Sequence, residues 1–175
     1  MNITGGIYNG RKLLTPDEKI ARPTLSKIRM SVFNTLYSIL GDYADKTFLD
    51  MFGGSGIMGL EAISRGFKDT VVFEKNKKAA EIIKQNYQSL NLVPNIHIGD
   101  ALNLYQKLDT NFDVIYIDPP YNSGIYDKVL GLIQQKPTAD TLIIVEHDNI
   151  IDFKNYKIIK QKKYGNNYIT FIEQS

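Results

Sequence analysis

The 175-residue chain contains no cysteine and only two histidines, His97 and His147. Without thiols there is no disulfide framework and no thiolate metal site, and two histidines this far apart in sequence do not suggest one, so no metal is expected. No apolar stretch approaches the roughly 18 to 20 residues that span a bilayer. The opening Met1-Asn2-Ile3-Thr4-Gly5-Gly6 also lacks the charged-then-apolar design of a signal peptide. These absences lead to the expectation of a cytoplasmic protein with no membrane partner. At 43% hydrophobic and 23% charged, residues 1–175 are read as one globular domain with enough core to fold unaided, and a monomer is expected.

Charge is unevenly spread. In residues 1–30, Arg11, Lys12, Lys19, Arg22, Lys27 and Arg29 outnumber Asp17 and Glu18. In residues 154–175, Lys154, Lys157, Lys160, Lys162 and Lys163 face Glu173 alone. Since the chain as a whole is only +2, its middle is acidic. Basic ends around an acidic centre are compatible with termini that touch phosphates around a centre that does chemistry. For the C-terminal lysines a merely solvated face explains the pattern equally well.

The first 22 residues read as a hairpin appendage, Ile3 to Ile7 and Arg11 to Leu14, turning at Asn9-Gly10. Thr24 is then a candidate N-cap for a helix over 24–40, whose Leu25, Ile28, Val32, Phe33, Leu36, Ile39 and Leu40 recur at helical spacing, with Lys27 and Arg29 off the apolar face. Residues 47–175 switch to strands alternating with helices, the pattern of a parallel sheet covered on both faces. The expected strands are Thr47 to Met51, Thr70 to Phe73, Asn95 to Ile98, Asp113 to Ile117 and Thr141 to Val145. Helices are expected at about Gly56 to Ser64, Lys77 to Leu90, Ala101 to Lys107 and Ile125 to Gln135. Tyr156 to Lys163 and Tyr168 to Glu173, joined through Gly165-Asn166, read as a final antiparallel hairpin.

Two motifs carry chemistry. Asp118-Pro119-Pro120-Tyr121 closes the apolar run Val114 to Ile117. Each proline lacks an N–H and holds the residue before it out of the helical region, so the strand stops and Asp118 and Pro119 are extended. There the Asp118 carboxylate and the Pro119 carbonyl can accept from one amino group while Tyr121 offers a stacking face, an arrangement suited to a flat nitrogenous ring. Upstream, Asp50-Met51-Phe52-Gly53-Gly54-Ser55-Gly56 lies where the first sheet strand turns into a helix, the place where open α/β sheets bind ligands. The helix start can meet an anionic group, and Asp50 can meet an ammonium. Gly54, Gly56 and Gly59, with Glu74 about 20 residues on, also satisfy the dinucleotide pattern. Glu74 would grip ribose hydroxyls in either a nicotinamide or an S-adenosylmethionine site. Asp50 favours the latter, because a carboxylate there repels a pyrophosphate. Gly99-Asp100-Ala101 completes the set, Asp100 serving as an acceptor for an adenine amine, as a helix N-cap, or as both. His147, beside Glu146, reads either as part of the cleft or as a solvated strand end.

These residues resemble the class I S-adenosylmethionine-dependent methyltransferases. Ile3-Thr4-Gly5-Gly6, Gly10-Arg11-Lys12-Leu13, Arg22-Pro23-Thr24 and the stretch from Arg29 to Leu36 narrow the resemblance to the bacterial ribosomal RNA small-subunit methyltransferase D family, guanine-N2 methyltransferases. The resemblance covers nearly the whole chain. It implies a Rossmann-like α/β fold with a seven-stranded, mostly parallel sheet whose last strand is reversed, preceded by the hairpin and helix. It further implies methylation of one guanine N2 in small-subunit ribosomal RNA, free or in an assembling 30S particle. S-adenosylmethionine would lie against Asp50, Phe52, Gly54, Ser55, Gly56, Glu74, Asp100 and Ala101. The target base would lie against Asp118, Pro119 and Tyr121, and the RNA against Arg11, Lys12, Arg22, Thr24, Arg29 and Pro120. Gly53 stands where alanine is common in the family, a difference expected to leave binding undisturbed.

Overall fold

The structure is a computed structural model that describes residues 1–17, 24–120, 124–136 and 140–175. Its elements run α1 (Ser26–Leu40), β1 (Thr47–Asp50), α2 (Ile57–Ser64), β2 (Asp69–Glu74), α3 (Lys77–Ser89), β3 (Ile96–Ile98), α4 (Ala101–Lys107), β4 (Val114–Ile117), α5 (Tyr126–Gln134), β5 (Leu142–His147), β6 (Tyr156–Tyr164) and β7 (Asn167–Gln174). The seven strands form one sheet in the order β3-β2-β1-β4-β5-β7-β6. Strands β1 to β5 are mutually parallel, and β7 runs antiparallel to both of its neighbours.

Period-two alternation decides which core each strand residue enters. Phe48, Val114, Tyr116, Leu142 and Ile144 join one cluster with the apolar stripes of α1, α2 and α3. Leu49, Ile115, Ile117, Ile143 and Val145 join the other, under α4 and α5. The short, near-continuous apolar runs of β4 and β5 are therefore what burial on both faces requires. The closing hairpin turns through Gly165 and Asn166, with Tyr164 paired to Asn167. Gly165 takes φ +61°, which glycine alone adopts freely at the first central position of such a turn.

The N-terminal segment differs from the expected hairpin. A single bridge, Asn2 to Lys12, replaces a ladder. Two consecutive turns, closed by Asn9 N–H to Gly6 O at 3.2 Å and Arg11 N–H to Tyr8 O at 3.1 Å, draw the chain onto α2. Ile7 donates to Ser64 O at 2.7 Å and Tyr8 to Ser64 Oγ at 2.9 Å. Gly6 makes this contact possible: its φ is +77°, and a Cβ there would lie 1.7 Å from Ser64 O. The segment is no appendage, since Ile3 and Leu13 are buried in the core beneath α1 and α2.

The start of α1 also departs from expectation. Leu25, not Thr24, is the N-cap, and no side chain caps it. Arg29 lies buried rather than off the apolar face, at 1% exposure. Its Nε donates to Glu61 Oε1 at 3.1 Å, and its Nη2 to Asn2 O at 2.7 Å and Ser26 Oγ at 3.2 Å. Its Nη1 donates to Thr24 O. Glu61, fully buried, also accepts from Thr4 N and Thr4 Oγ1, both at 2.7 Å, and from Arg65 Nε at 3.2 Å. Arg65 in turn lies over the Phe33 ring, 5.0 Å from its centroid. One buried acid thus ties the N-terminus, α1 and α2 together.

Candidate active site

The strand order reverses between β1 and β4, and a ligand crevice forms outside the carboxyl ends of strands at such a switch point. The two motifs emerge there side by side, because β1 pairs Asp50 with Tyr116, two residues before Asp118. A cavity of about 690 Å³ opens between them, within the usual range for small-molecule sites of about 300–1,000 Å³. Asp50, Phe52, Gly54, Ser55, Glu74, Asp100 and Ala101 line one part of it, and Asp118, Pro119 and Pro120 another. Thr24 and Lys27, at the start of α1, close a further wall.

The glycine loop is shaped by its contacts with the sheet. Gly53 N–H donates to Phe73 O at 2.8 Å and Gly56 N–H to Gly53 O at 2.7 Å. Gly54 and Gly56 take φ of +54° and +73°, and Gly56 is the N-cap of α2. A Cβ on Gly59 would meet Tyr87 Oη at 2.7 Å, so that glycine serves helix packing. A Cβ on Gly53 would sit 2.3 Å from Val72 Cγ1, so the glycine lets the loop lie close against β2. Glu74 fastens the loop, accepting from Gly54 N at 2.7 Å and from Asn76 N at 2.6 Å. A carboxylate accepts at about four sites, which leaves Glu74 acceptor capacity toward the cavity. Asp100 caps α4 by accepting from Asn103 N at 3.3 Å, while its other oxygen lies 3.7 Å from Lys75 Nζ. Ser55 is buried, with its Oγ 3.9 Å from Met1 Sδ.

Asp50 is 2% exposed, and its Oδ2 has no hydrogen-bond partner among the described residues. Burial pushes its carboxyl up to about 7; the Gly59 and Phe52 amides resist this and the nearby Glu74 adds to it. A buried acceptor left without a donor costs stability, so this atom calls for a cationic or N–H-bearing ligand group. The ammonium of an amino acid moiety fits that requirement and a pyrophosphate does not.

Asp118 sits on the same cavity, its carboxyl raised well above the usual range by burial and then by the charges of Glu146 and Asp50. Glu146 is a site residue that the sequence did not single out. It lines the cavity, and Tyr116 Oη donates to its Oε2 at 2.6 Å while Asn167 Nδ2 donates to its Oε1 at 3.2 Å. The neighbouring His147 faces the opposite way and is buried rather than solvated. It bonds Thr170 Oγ1 at 2.8 Å and Asn149 O at 2.6 Å and stacks on Tyr168 at 5.4 Å. Among the described residues no group of three or more His, Cys, Asp or Glu is placed to hold a metal ion, and no helix is long and apolar enough to cross a membrane.

The expected RNA-facing residues divide. Arg11 and Lys12 are exposed, with Arg11 Nη2 donating to Ser89 O at 3.2 Å, and Thr24 and Pro120 border the cavity. Arg29 is corrected: buried and ion-paired, it cannot reach a phosphate. Tyr121 and Arg22 lie outside the described residues. Of the C-terminal lysines, Lys157 pairs with Glu173 at 2.8 Å, Lys162 donates to Ser31 Oγ at 3.0 Å and Lys163 lies over Tyr168.

This strand order, with β7 reversed and the crevice at β1 and β4, defines a Rossmann-like class I methyltransferase fold. A protein of Thermus thermophilus superposes with a TM-score of 0.83 at 26% identity, over 99% of each chain. The chain belongs to the family described as Conserved hypothetical protein 95, whose pattern it matches over residues 1–173. Bacillus subtilis YlbH is 33% identical to it, over 87% of this chain and 85% of that protein. Ribosomal RNA small subunit methyltransferase D of Buchnera aphidicola (from Acyrthosiphon pisum) is 32% identical, over 91% and 86% respectively.

Proposed function

We propose that this protein transfers a methyl group from S-adenosylmethionine to the exocyclic N2 of one guanine in small-subunit ribosomal RNA. The observation that carries the reading is a single cavity shared by the Asp50 loop and the Asp118-Pro119-Pro120 turn. The names of relatives at about 30% identity over most of the chain support the reaction and the RNA substrate.

Asp50 would receive the ammonium of the donor, the start of α2 its carboxylate, Glu74 its ribose and Asp100 its adenine. When bound, the donor supplies an electrophilic methyl on a sulfonium. The chain's own contribution is to present the amine. A guanine amine is a poor nucleophile because its lone pair is delocalised into the ring. By accepting both N–H bonds, Asp118 and the Pro119 carbonyl favour a pyramidal nitrogen, aim its lone pair, and stabilise the positive charge that grows on it. The surplus proton then leaves to Asp118 or to water. The base must first be extruded, at a cost of a few kcal/mol, and stacking on one aromatic such as Tyr121 returns about 1–3 kcal/mol.

Nucleoside mass spectrometry of small-subunit ribosomal RNA from cells lacking the protein tests the proposal. One N2-methylguanosine is expected to vanish and to return with the gene. An unchanged modification profile would overturn it.

A further inference from the structure

Guanine, adenine and cytosine all carry an exocyclic amine, so acceptors that hold only the amine do not choose among them. The ring nitrogen beside the amine does differ on the Watson–Crick edge, the edge by which extruded bases are read. It bears a hydrogen in guanine and a lone pair in adenine and cytosine. A site that selects guanine therefore needs one more acceptor, next to the pair that holds the amine.

We propose that Glu146 is the guanine-selecting residue, its carboxylate accepting the ring N1–H while Asp118 and the Pro119 carbonyl hold the adjacent amine. The inference rests on the reading of the cavity given above. Its basis is register: β4 and β5 pair Ile117 with Val145 in parallel, so Asp118, the first residue past β4, and Glu146, still within β5 and paired to Ile169 of β7, follow one another on neighbouring strands about 4.8 Å apart. Both line the cavity.

Glu146 is also held as a selector must be. It is 4% exposed, and Tyr116 Oη and Asn167 Nδ2 fix its two oxygens from different sides. Among the described residues those contacts use two of about four acceptor sites and leave the rest for a ligand. Both fixing groups donate, and donors favour the ionised form, which accepts hydrogen bonds and cannot donate them. Such a carboxylate welcomes guanine N1–H and repels the lone pair of adenine N1. Burial raises the carboxyls of both Glu146 and Asp118; the Tyr116 and Asn167 donors oppose the rise at Glu146, whereas the charges of Glu146 and Asp50 add to it at Asp118. Asp50 Oδ2, buried and unpartnered in the same cavity, independently marks the cavity as built for a donor-bearing ligand.

The test uses small-subunit ribosomal RNA assembled by splint ligation, with either guanine or 2-aminopurine at the methylated position. 2-Aminopurine keeps the amine but presents a lone pair at N1. For the wild-type protein, kcat/KM is expected to fall by about 5- to 150-fold on 2-aminopurine, the discrimination that one good base contact supplies. Glu146→Gln should lose a comparable factor on guanine and no longer distinguish the two, because its amide can donate to N1. Equal use of both bases by the wild-type protein overturns the proposal without any variant. Glu146→Gln slowing both RNAs equally, with discrimination intact, would reduce Glu146 to a clamp on the β6–β7 hairpin. If wild-type protein places its methyl group on something other than guanine N2, it is the underlying reading of function that fails, and mass spectrometry of the product shows this separately.

Discussion

Asp50 is held in a state its surroundings disfavour. Its folded pKa, about 7, lies above the ordinary value of 3.8 because burial penalises the charge. The stability contributed by its neutral form is therefore fully present below about pH 4 and is lost as pH rises through about 7. An arriving ammonium reverses the balance by favouring the ionised form. Asp50→Asn should raise the Tm of the ligand-free protein at pH 8 more than at pH 5, while weakening S-adenosylmethionine binding at least about tenfold. Scanning calorimetry at the two pH values, paired with titration calorimetry, reads both; equal Tm shifts would contradict the assignment. Asp118→Ala should lower kcat by about 10²-fold with the donor saturating, the usual cost of losing one preorganised electrostatic contact, and leave donor affinity near the wild-type value. Normal turnover would remove Asp118 from the chemistry. Both acids were legible in the sequence because each is fixed by its immediate neighbours, glycines in one case and prolines in the other. Glu146 was not, since only the pairing of β5 with β4 shows which of Glu146 and His147 faces the cavity.

Between elements, the Arg29–Glu61 contact fixes where α1 stands, and the first turn of α1 forms one wall of the cavity. Removing Arg29 leaves buried Glu61 with Arg65 and Thr4 as its remaining partners and takes the donors from Asn2 O and Thr24 O, so the loss should fall near about 3 kcal/mol, the low end for a broken buried pair. Arg29→Ala should therefore lower Tm by about 10 °C in a chain of this size. A shift under about 2 °C would show that Arg65 and Thr4 hold Glu61 without Arg29. Arg29 resisted sequence reading for the same reason that it matters: an arginine in an amphipathic helix is expected at the solvated face, and its partner is 32 residues away on another helix. The N-terminal turns were misread similarly. Asn9-Gly10 correctly signals a turn, but Ser64, far along the chain from Ile7 and Tyr8, decides that the segment docks on α2 instead of forming a ladder.

Across the whole molecule, the exposed Arg11 and Lys12 lie on a chain end of net positive charge, and Arg22 belongs to the same basic stretch of sequence. Replacing all three with glutamine should weaken RNA binding and reduce the slope of log K against log salt by about 2 to 3, close to one per lost phosphate contact. Filter binding across a salt series measures this, and an unchanged slope would assign the cluster to solvation alone. Ligand linkage separates the two cofactor readings of the glycine loop. S-adenosylmethionine at 100 times its Kd should stabilise the fold by about 2.7 kcal/mol, a rise in Tm of several degrees, whereas NAD should produce none. The reverse result would restore the dinucleotide alternative.

The order of residues was enough to dictate the alternation of strands and helices, the antiparallel closing hairpin and the two loops that carry Asp50 and Asp118. Those features follow from short-range causes: side-chain periodicity, the missing N–H of proline and the conformational freedom of glycine. Three relations waited for the folded molecule: both loops open onto one cavity, Arg29 turns inward to Glu61, and Glu146 rather than His147 stands beside Asp118. Each of these depends on strand register or on a partner distant in sequence. Hydrogen bonding across the sheet and the burial of charge set such relations only once the chain has closed on itself.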